Sequence, residues 1–154
     1  MKITRAERIM AYILAVLLCV GGAIFFGYPA LITFGVIKYD AIMSQPADQV
    51  AHVELLEERN GEYVALADIS GDSLDSFMED YLSFEFRRYT NDPATHPGPR
   101  VIKICYSDGG YDLVGHIIDF YNCDGQRVST KGWYYLSNPN ITYLFEKYCI
   151  ESSK

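Results

Sequence analysis

The chain has few of the residues from which metal and redox sites are built. Its 154 residues include three histidines, four cysteines and one tryptophan. It contains no C-x-x-C pair and no H-x-x-x-H pair, which are spacings typical of zinc sites. We therefore expect no metal and no cofactor, and we interpret the scattered donors as structural residues. These donors are His52, His96, His116, Cys105, Cys123 and Cys149.

Positive charge is also scarce, and the net charge is −7 at pH 7. Residues 39–154 carry nine Lys and Arg against nineteen Asp and Glu, whereas residues 1–38 carry four basic groups and one acid. An acidic domain of this kind is repelled by phosphate backbones. This balance argues against nucleic acid as a partner.

Charged residues are absent altogether from Ile9 to Ile37, a run of twenty-nine residues. A helix of that length would measure about 43 Å, against a hydrocarbon core of about 30 Å. The run is too long for the apolar part of a secretory leader, and no A-x-A-type cleavage site follows it. We predict a retained signal-anchor, a transmembrane helix over residues 9–37. Its span proper is at about 9–29, with a possible helical extension to about residue 43.

The basic residues predict the orientation of this helix. Three of them precede the uncharged run within residues 1–8. After the run, the positive charge of Lys38 is balanced by the negative charge of Asp40. Cytoplasmic flanks of membrane helices carry an excess of Lys and Arg. We therefore expect the N-terminus in the cytoplasm of a bacterial cell, the lipid bilayer as a partner, and the acidic domain outside the cell membrane.

Small residues recur at every fourth position inside the predicted span. Such a stripe lets two membrane helices pack backbone against backbone. It predicts homo- or hetero-association through the helix, although small residues also recur by chance in membrane spans. The stripe consists of Ala11, Ala15, Cys19, Ala23 and Gly27.

The first strand pattern follows a predicted linker at residues 44–49. Two alternating runs flank Asn60-Gly61, and Asn-Gly is a strong short sequence signal for a β-hairpin. The alternation predicts that the buried face of this hairpin is formed by Val53, Leu55, Val64 and Leu66.

In the rest of the chain, segments whose apolar residues recur with the period of a helix alternate with segments whose apolar residues recur with the period of a strand. Helical spacing occurs in SGDSLDSFMEDYL and in NPNITYLFEKYC, and glycine-containing turns divide the strand patterns between them. We predict an α+β domain over residues 50–150 with the order ββαββββα. Its sheet is mostly antiparallel, both helices cover one face, and a tail at 151–154 follows.

Part of this pattern resembles a known group of proteins. A helix, FEFRRY, a proline-rich loop, VIKICYSDGGYDLVG, WYYL and LFEKY follow one another over about residues 70–150. This order is similar to that of small extracytoplasmic domains of membrane-anchored or lipoprotein-like proteins from clostridia-type bacteria. The shared signature is an apolar strand followed by Tyr-x-Asp-Gly. The group has no established activity, so the resemblance implies architecture and location and supplies no site residues.

Aromatic residues are abundant in the strand-rich part of the chain. Those on a sheet face that helices leave uncovered would form a surface suited to a peptide, a glycan or a partner protein. Cross-strand packing is the alternative explanation of the same residues, and we favour it while keeping the surface as a hypothesis. The candidates for this surface are Tyr106, Tyr111, Tyr121, Trp133, Tyr134 and Tyr135.

Two acidic patterns give weaker functional signals. Paired carboxylates cleave glycosidic bonds, but aspartates in glycine turns are ordinary turn residues. The aspartates concerned are Asp108, Asp112, Asp119 and Asp124. The acidic and hydroxyl residues from Asp68 to Glu79 are also spaced like the ligands of a calcium-binding loop, but Ser73 stands where such a loop requires glycine. We interpret that segment as the start of a helix.

These patterns predict a single-pass membrane protein with a small, non-enzymatic extracytoplasmic domain that binds a partner or ligand. One alternative is an accessory subunit of a membrane complex that acts through its transmembrane helix. A second alternative is an extracytoplasmic enzyme that acts on cell-wall material.

Overall fold

The computed structural model describes residues 5–27, 39–89, 94–132 and 134–151. The chain divides into two compact units, Met1–Ile37 and Lys38–Lys154. We refer to the second unit as the domain, and each unit is described by itself.

The first unit contains helix α1, which spans Arg5–Gly22 and is continued by a π-helical turn over Ala23–Gly27. Within the described residues, no helix has both the length and the apolar character needed to cross a membrane. The predicted end of the span at Tyr28 and Pro29 lies outside the described residues. The predicted helical extension is not seen at residues 39–43, where the backbone is irregular.

The described residues of the domain form a six-stranded sheet in the order β2-β1-β4-β5-β6-β7, in which every neighbouring pair is antiparallel. They also form a two-stranded sheet of β3 and β8. The strands are β1 (Val50–Arg59), β2 (Glu62–Ile69), β3 (Phe86–Arg88), β4 (Arg100–Tyr106), β5 (Tyr111–Val114), β6 (Ile118–Tyr121), β7 (Arg127–Thr130) and β8 (Tyr134–Leu136).

The predicted hairpin is confirmed at β1 and β2. Its turn residues, Asn60 and Gly61, have φ angles of 56° and 85°. This left-handed conformation is what a tight two-residue hairpin turn requires, and Asn and Gly adopt it at low cost.

The predicted buried face of the hairpin is only partly correct. Val53 and Leu55 are buried and Leu66 packs partly buried against the core, whereas Val64 is 41% exposed. A β-bulge after Leu55 shifts the pairing of β1 with β2 by one residue. Because a shift of one residue exchanges the two faces of a strand, Ala67 and Ile69 take the buried positions on β2.

The described part of the domain has more strands than the sequence predicted. YDLVGHIIDFY is divided into β5 and β6, and QRVSTKGWYYL contributes β7 and β8. The first division lies at Gly115, where a side chain would place its Cβ 2.2 Å from the Pro97 carbonyl oxygen. The proline-containing loop therefore crosses the chain closely enough to end one strand and begin the next. The α+β class and the antiparallel sheet are confirmed.

Two helices, α2 (Asp72–Ser83) and α3 (Asn138–Glu151), contribute to the core of the domain. The helical spacing predicted for NPNITYLFEKYC is confirmed in α3, where the four residues of its apolar stripe are buried. They are Ile141, Leu144, Phe145 and Tyr148.

Aromatic rings and a polar link join α2 to α3. The Phe77 ring lies 6.2 Å from that of Tyr81 and 5.1 Å from that of Tyr148. The Asp80 carboxylate accepts hydrogen bonds from Lys147 Nζ at 2.7 Å and from Tyr148 OH at 2.8 Å. The two helices therefore meet through packed rings with a charged hydrogen-bond cluster beside them.

Removing the Phe77 ring is expected to destabilise the domain strongly. The side chain is 0% exposed, so Phe77→Ala leaves a cavity and lowers the free energy of unfolding by about 3–5 kcal/mol. Leu82 on the same helix is 47% exposed and gives a matched control, because Leu82→Ala should cost about 1 kcal/mol or less. Urea denaturation of the full chain in detergent, followed by circular dichroism, measures both. Equal losses would contradict this account of the core.

Candidate functional site

The two faces of the six-stranded sheet have different compositions. Side chains alternate along each strand, so the residues between the core positions of β1, β4, β5 and β6 point away from α2 and α3. We call this side the outer face. Its described side chains include His52, Glu54, Asp68, Lys103, Cys105, Tyr111, Leu113, Asp119 and Tyr121.

A stacked tyrosine pair lies on the outer face where β5 begins and β6 ends. Tyr111 and Tyr121 are register partners on β5 and β6, and their ring centroids are 4.5 Å apart with an interplanar angle of 9°. Lys103 Nζ lies 5.1 Å from the Tyr111 ring and donates to both carboxylate oxygens of Glu54 at 3.2 and 3.0 Å. The result is a half-buried aromatic platform with a fixed cation at one end.

Asp119 lies beside the other end of this platform. It is 2% exposed, and its Oδ2 is 3.7 Å from Arg127 Nη1. Its Oδ1 is buried and accepts no hydrogen bond from the residues that the structure describes. Burial and the negative charge of Asp119 both raise the pKa of Tyr121. A buried carboxylate oxygen without a donor is costly, so this oxygen marks a place where a further group would stabilise the domain.

The structure does not bring the six predicted surface aromatics together. Tyr111 and Tyr121 share the outer face, whereas Tyr106 is buried on the helix side of the sheet. Trp133 lies outside the described residues. The aromatic surface is therefore smaller than the sequence suggested.

The remaining two candidates of that set belong to the two-stranded sheet. Tyr134 meets Tyr39 edge-on with centroids 5.1 Å apart, and Tyr135 stacks on Tyr89 at 4.4 Å. Each ring is engaged by another aromatic residue of the domain, which fits the alternative of packing between neighbouring chain segments.

The four predicted aspartates do not converge on one site. Asp112 points to the helix side of the sheet and Asp119 to the outer face. Asp108 accepts hydrogen bonds from the Gly110 N–H and from Gln45 Nε2, both at 2.9 Å, and these bonds lower its pKa. Asp124 is exposed in a turn. This arrangement gives no support to paired carboxylates acting on one glycosidic bond.

Asp112 instead binds the segment that the sequence predicted to be a linker. Its carboxylate accepts hydrogen bonds from Ser44 N–H at 2.8 Å, Ser44 Oγ at 2.5 Å and Tyr106 OH at 2.5 Å. Burial raises the pKa of Asp112, and the hydrogen bonds from Ser44 and Tyr106 oppose that rise. The segment therefore lies against the domain as part of its fold.

A groove of about 290 Å³ opens between β4 and the start of α3. Some of its polar groups are already engaged, because Arg100 Nε donates to Glu57 at 3.2 Å and His116 Nε2 lies 3.0 Å from Asn138 Oδ1. The groove is lined by Pro99, Arg100, His116, Asn138, Ile141 and Thr142.

The small-residue stripe lies in the first unit. Ala11, Ala15 and Cys19 are exposed on α1, and Gly27 ends the π-helical turn. The side chain of Ala23 lies outside the described set. Association through this stripe stays a prediction.

Comparison of the chain with protein-family models, with curated proteins and with solved structures gave no match. The resemblance to small extracytoplasmic domains therefore stays a prediction.

The anchoring role of Asp112 can be tested by substitution. Asp112→Ala removes the acceptor of the Ser44 N–H and of the Tyr106 hydroxyl, each of which costs about 1–3 kcal/mol when it is buried without a partner. We expect the free energy of unfolding of the full chain to fall by that order. Ser44→Ala should cost less, because the backbone N–H of residue 44 still reaches Asp112.

The matched control is Asp124→Ala, which removes a carboxylate from an exposed turn of the same sheet and should have a much smaller effect. Combining Ser44→Ala with Asp112→Ala should be less destabilising than the sum of the single changes, because the two residues share one interaction. Additive losses would contradict the contact.

Proposed function

We propose that this chain is a single-pass membrane protein with a cytoplasmic N-terminus, and that its extracytoplasmic domain binds a carbohydrate on the outer face without catalysing a reaction. The unsatisfied Asp119 carboxylate oxygen beside the tyrosine platform is the observation that carries the ligand-binding part of this proposal.

The surface of α1 supports the membrane part. The large apolar side chains between Met10 and Phe25 are 51–76% exposed. A helix that is apolar on all sides requires apolar surroundings. The uncharged segment from Ile9 to Ile37 has twenty-nine residues, more than the roughly 20 apolar residues that a membrane-spanning helix requires.

The chemistry of the outer face supports a sugar as the ligand. A pyranose ring has hydroxyl donors around its rim and a flat C–H face. The hydroxyls suit the buried acceptor Asp119 and the cation of Lys103, and the flat face suits the side of the Tyr121 ring that is turned away from Tyr111. Binding is expected to reorient the exposed Arg127 side chain and to supply the donor that Asp119 Oδ1 lacks.

Arginine substitutions in α1 test the membrane anchor. Leu14→Arg together with Leu18→Arg places two charges near the helix centre, at about 2.5–3.5 kcal/mol each. We expect the wild-type chain to stay in membranes washed at alkaline pH and the variant to be released. Val128→Arg, on exposed strand β7, is the control and should be retained.

Orientation is measured on the same cells. Protease added to intact protoplasts should remove the domain. A domain that resists until the membrane is opened would reverse the orientation, and wild-type chain released by alkaline washing would contradict the anchor.

The ligand is tested by glycan-array binding of the full chain in detergent. Tyr121→Ala removes half of the platform and should weaken binding to any retained glycan roughly fivefold or more, as expected of a central contact worth over about 1 kcal/mol. Asp119→Asn should also weaken it, because the change removes the negative charge and replaces one of the two acceptor oxygens with a donor. Tyr143→Ala, an exposed tyrosine of α3, is the matched control. Binding that survives both outer-face substitutions, or no retained glycan, would refute the proposal.

A further inference from the structure

Three side chains of metal-ligand type meet on the outer face although the sequence separates them. His52 and Glu54 are two residues apart on β1, so they point to the same side. Cys105 on β4 is the register partner of His52. One donor atom from each residue, an imidazole nitrogen, a carboxylate oxygen and a thiol sulfur, lies within 4.8 Å of the other two.

The spacing of the first two donors matches that of ligands sharing an ion. His52 Nε2 and Glu54 Oε1 are 3.4 Å apart, which is longer than the usual hydrogen bond of about 2.7–3.2 Å. Zinc bonds to nitrogen and oxygen of about 2.0–2.1 Å, set at the tetrahedral angle, hold the two ligand atoms about 3.3 Å apart. The pair therefore needs little movement to receive a metal ion.

We propose that His52, Glu54 and Cys105 bind a divalent transition-metal ion, and that zinc is the ion that best fits these donors. Sulfur, imidazole nitrogen and carboxylate oxygen together are a zinc-type set. Three protein ligands leave a fourth tetrahedral position for water or another small ligand.

The surroundings provide access and fix the ligands. Cys105 is 8% exposed, whereas the side chains of His52 and Glu54 are partly exposed and form the entry path. Lys103 Nζ donates to Glu54 Oε2 at 3.0 Å and to Oε1 at 3.2 Å. Metal binding through Oε1 replaces the second of these bonds, and the first holds the carboxylate in place, as outer-shell partners of metal ligands do. The charge of Lys103 opposes a cation, and the carboxylates of Glu54 and of its register partner Asp68 offset it.

This site is independent of the carbohydrate proposal. Its donors lie on β1 and β4, whereas the sugar contacts are centred on β5 and β6. Lys103 belongs to both surroundings, but neither Asp119 nor Tyr121 is a metal donor in this geometry. Each proposal can therefore fail without the other.

Cobalt(II) serves as a spectroscopic probe of the site. The metal-stripped, reduced full chain in detergent is titrated with cobalt and then with zinc. We expect one cobalt ion per chain with a thiolate-to-cobalt charge-transfer band, loss of the band on addition of zinc, and a higher midpoint of thermal unfolding with zinc bound.

Substitutions assign the band to these residues. Cys105→Ser should abolish it, and His52→Ala and Glu54→Gln should weaken cobalt binding at least about tenfold. Cys149→Ser and His116→Ala, which alter the same residue types elsewhere in the domain, should leave affinity unchanged, as should Tyr121→Ala.

Circular dichroism shows whether the variant of the buried Cys105 folds. If it does not, His52→Ala still tests the site, because His52 is partly exposed and its replacement should leave the domain folded. The proposal is overturned if millimolar cobalt gives no charge-transfer band with the wild-type chain. It is equally overturned if the band survives in folded Cys105→Ser, or if His52→Ala and Glu54→Gln bind cobalt as tightly as wild type.

Discussion

The antiparallel pairing of β1 with β4 is the interaction on which the rest of the domain depends. It places Val53 opposite Ile104 and Leu55 opposite Ile102 in the core. Because neighbouring residues on a strand point to opposite faces, the same register also fixes the positions of His52, Glu54, Lys103 and Cys105 on the outer face. Core packing therefore holds the outer-face side chains in position, and the proposed metal donors lie on rigid strands at the centre of the sheet.

A second constraint comes from the buried carboxylate of Asp112. It binds Ser44 through both the backbone and the hydroxyl group, and Tyr39 adds a bridge to Phe86 through hydrogen bonds of 3.2 and 2.9 Å. The fold of the domain thus includes residues that the sequence placed in a linker. Alternating hydrophobicity could not reveal this, because the contact is polar and joins residues far apart in the chain.

Local patterns predicted the elements whose causes are local. The Asn-Gly turn requires left-handed backbone at two successive residues, and the stripe of α3 follows from helical periodicity, so both were found. The division of one predicted strand into β5 and β6 depends on the approach of Pro97 to Gly115. No window of neighbouring residues contains that contact. Long-range contacts also separate the aromatic candidates. Tyr106 faces the core, whereas Tyr111 lies on the outer face.

The sequence by itself determined the acidic domain, the long uncharged N-terminal segment, the α+β class and the mostly antiparallel sheet. Composition and periodicity are sufficient for these, since they depend on how much apolar surface each segment must bury. Only the tertiary structure decided which side chains meet. A bulge after Leu55 moved the buried positions of β2, and the register of β1 with β4 brought His52 beside Cys105. A register shift of one residue would turn the buried residues of β2, or His52 and Cys105, to the opposite face of the sheet. That register is set by packing across the whole sheet.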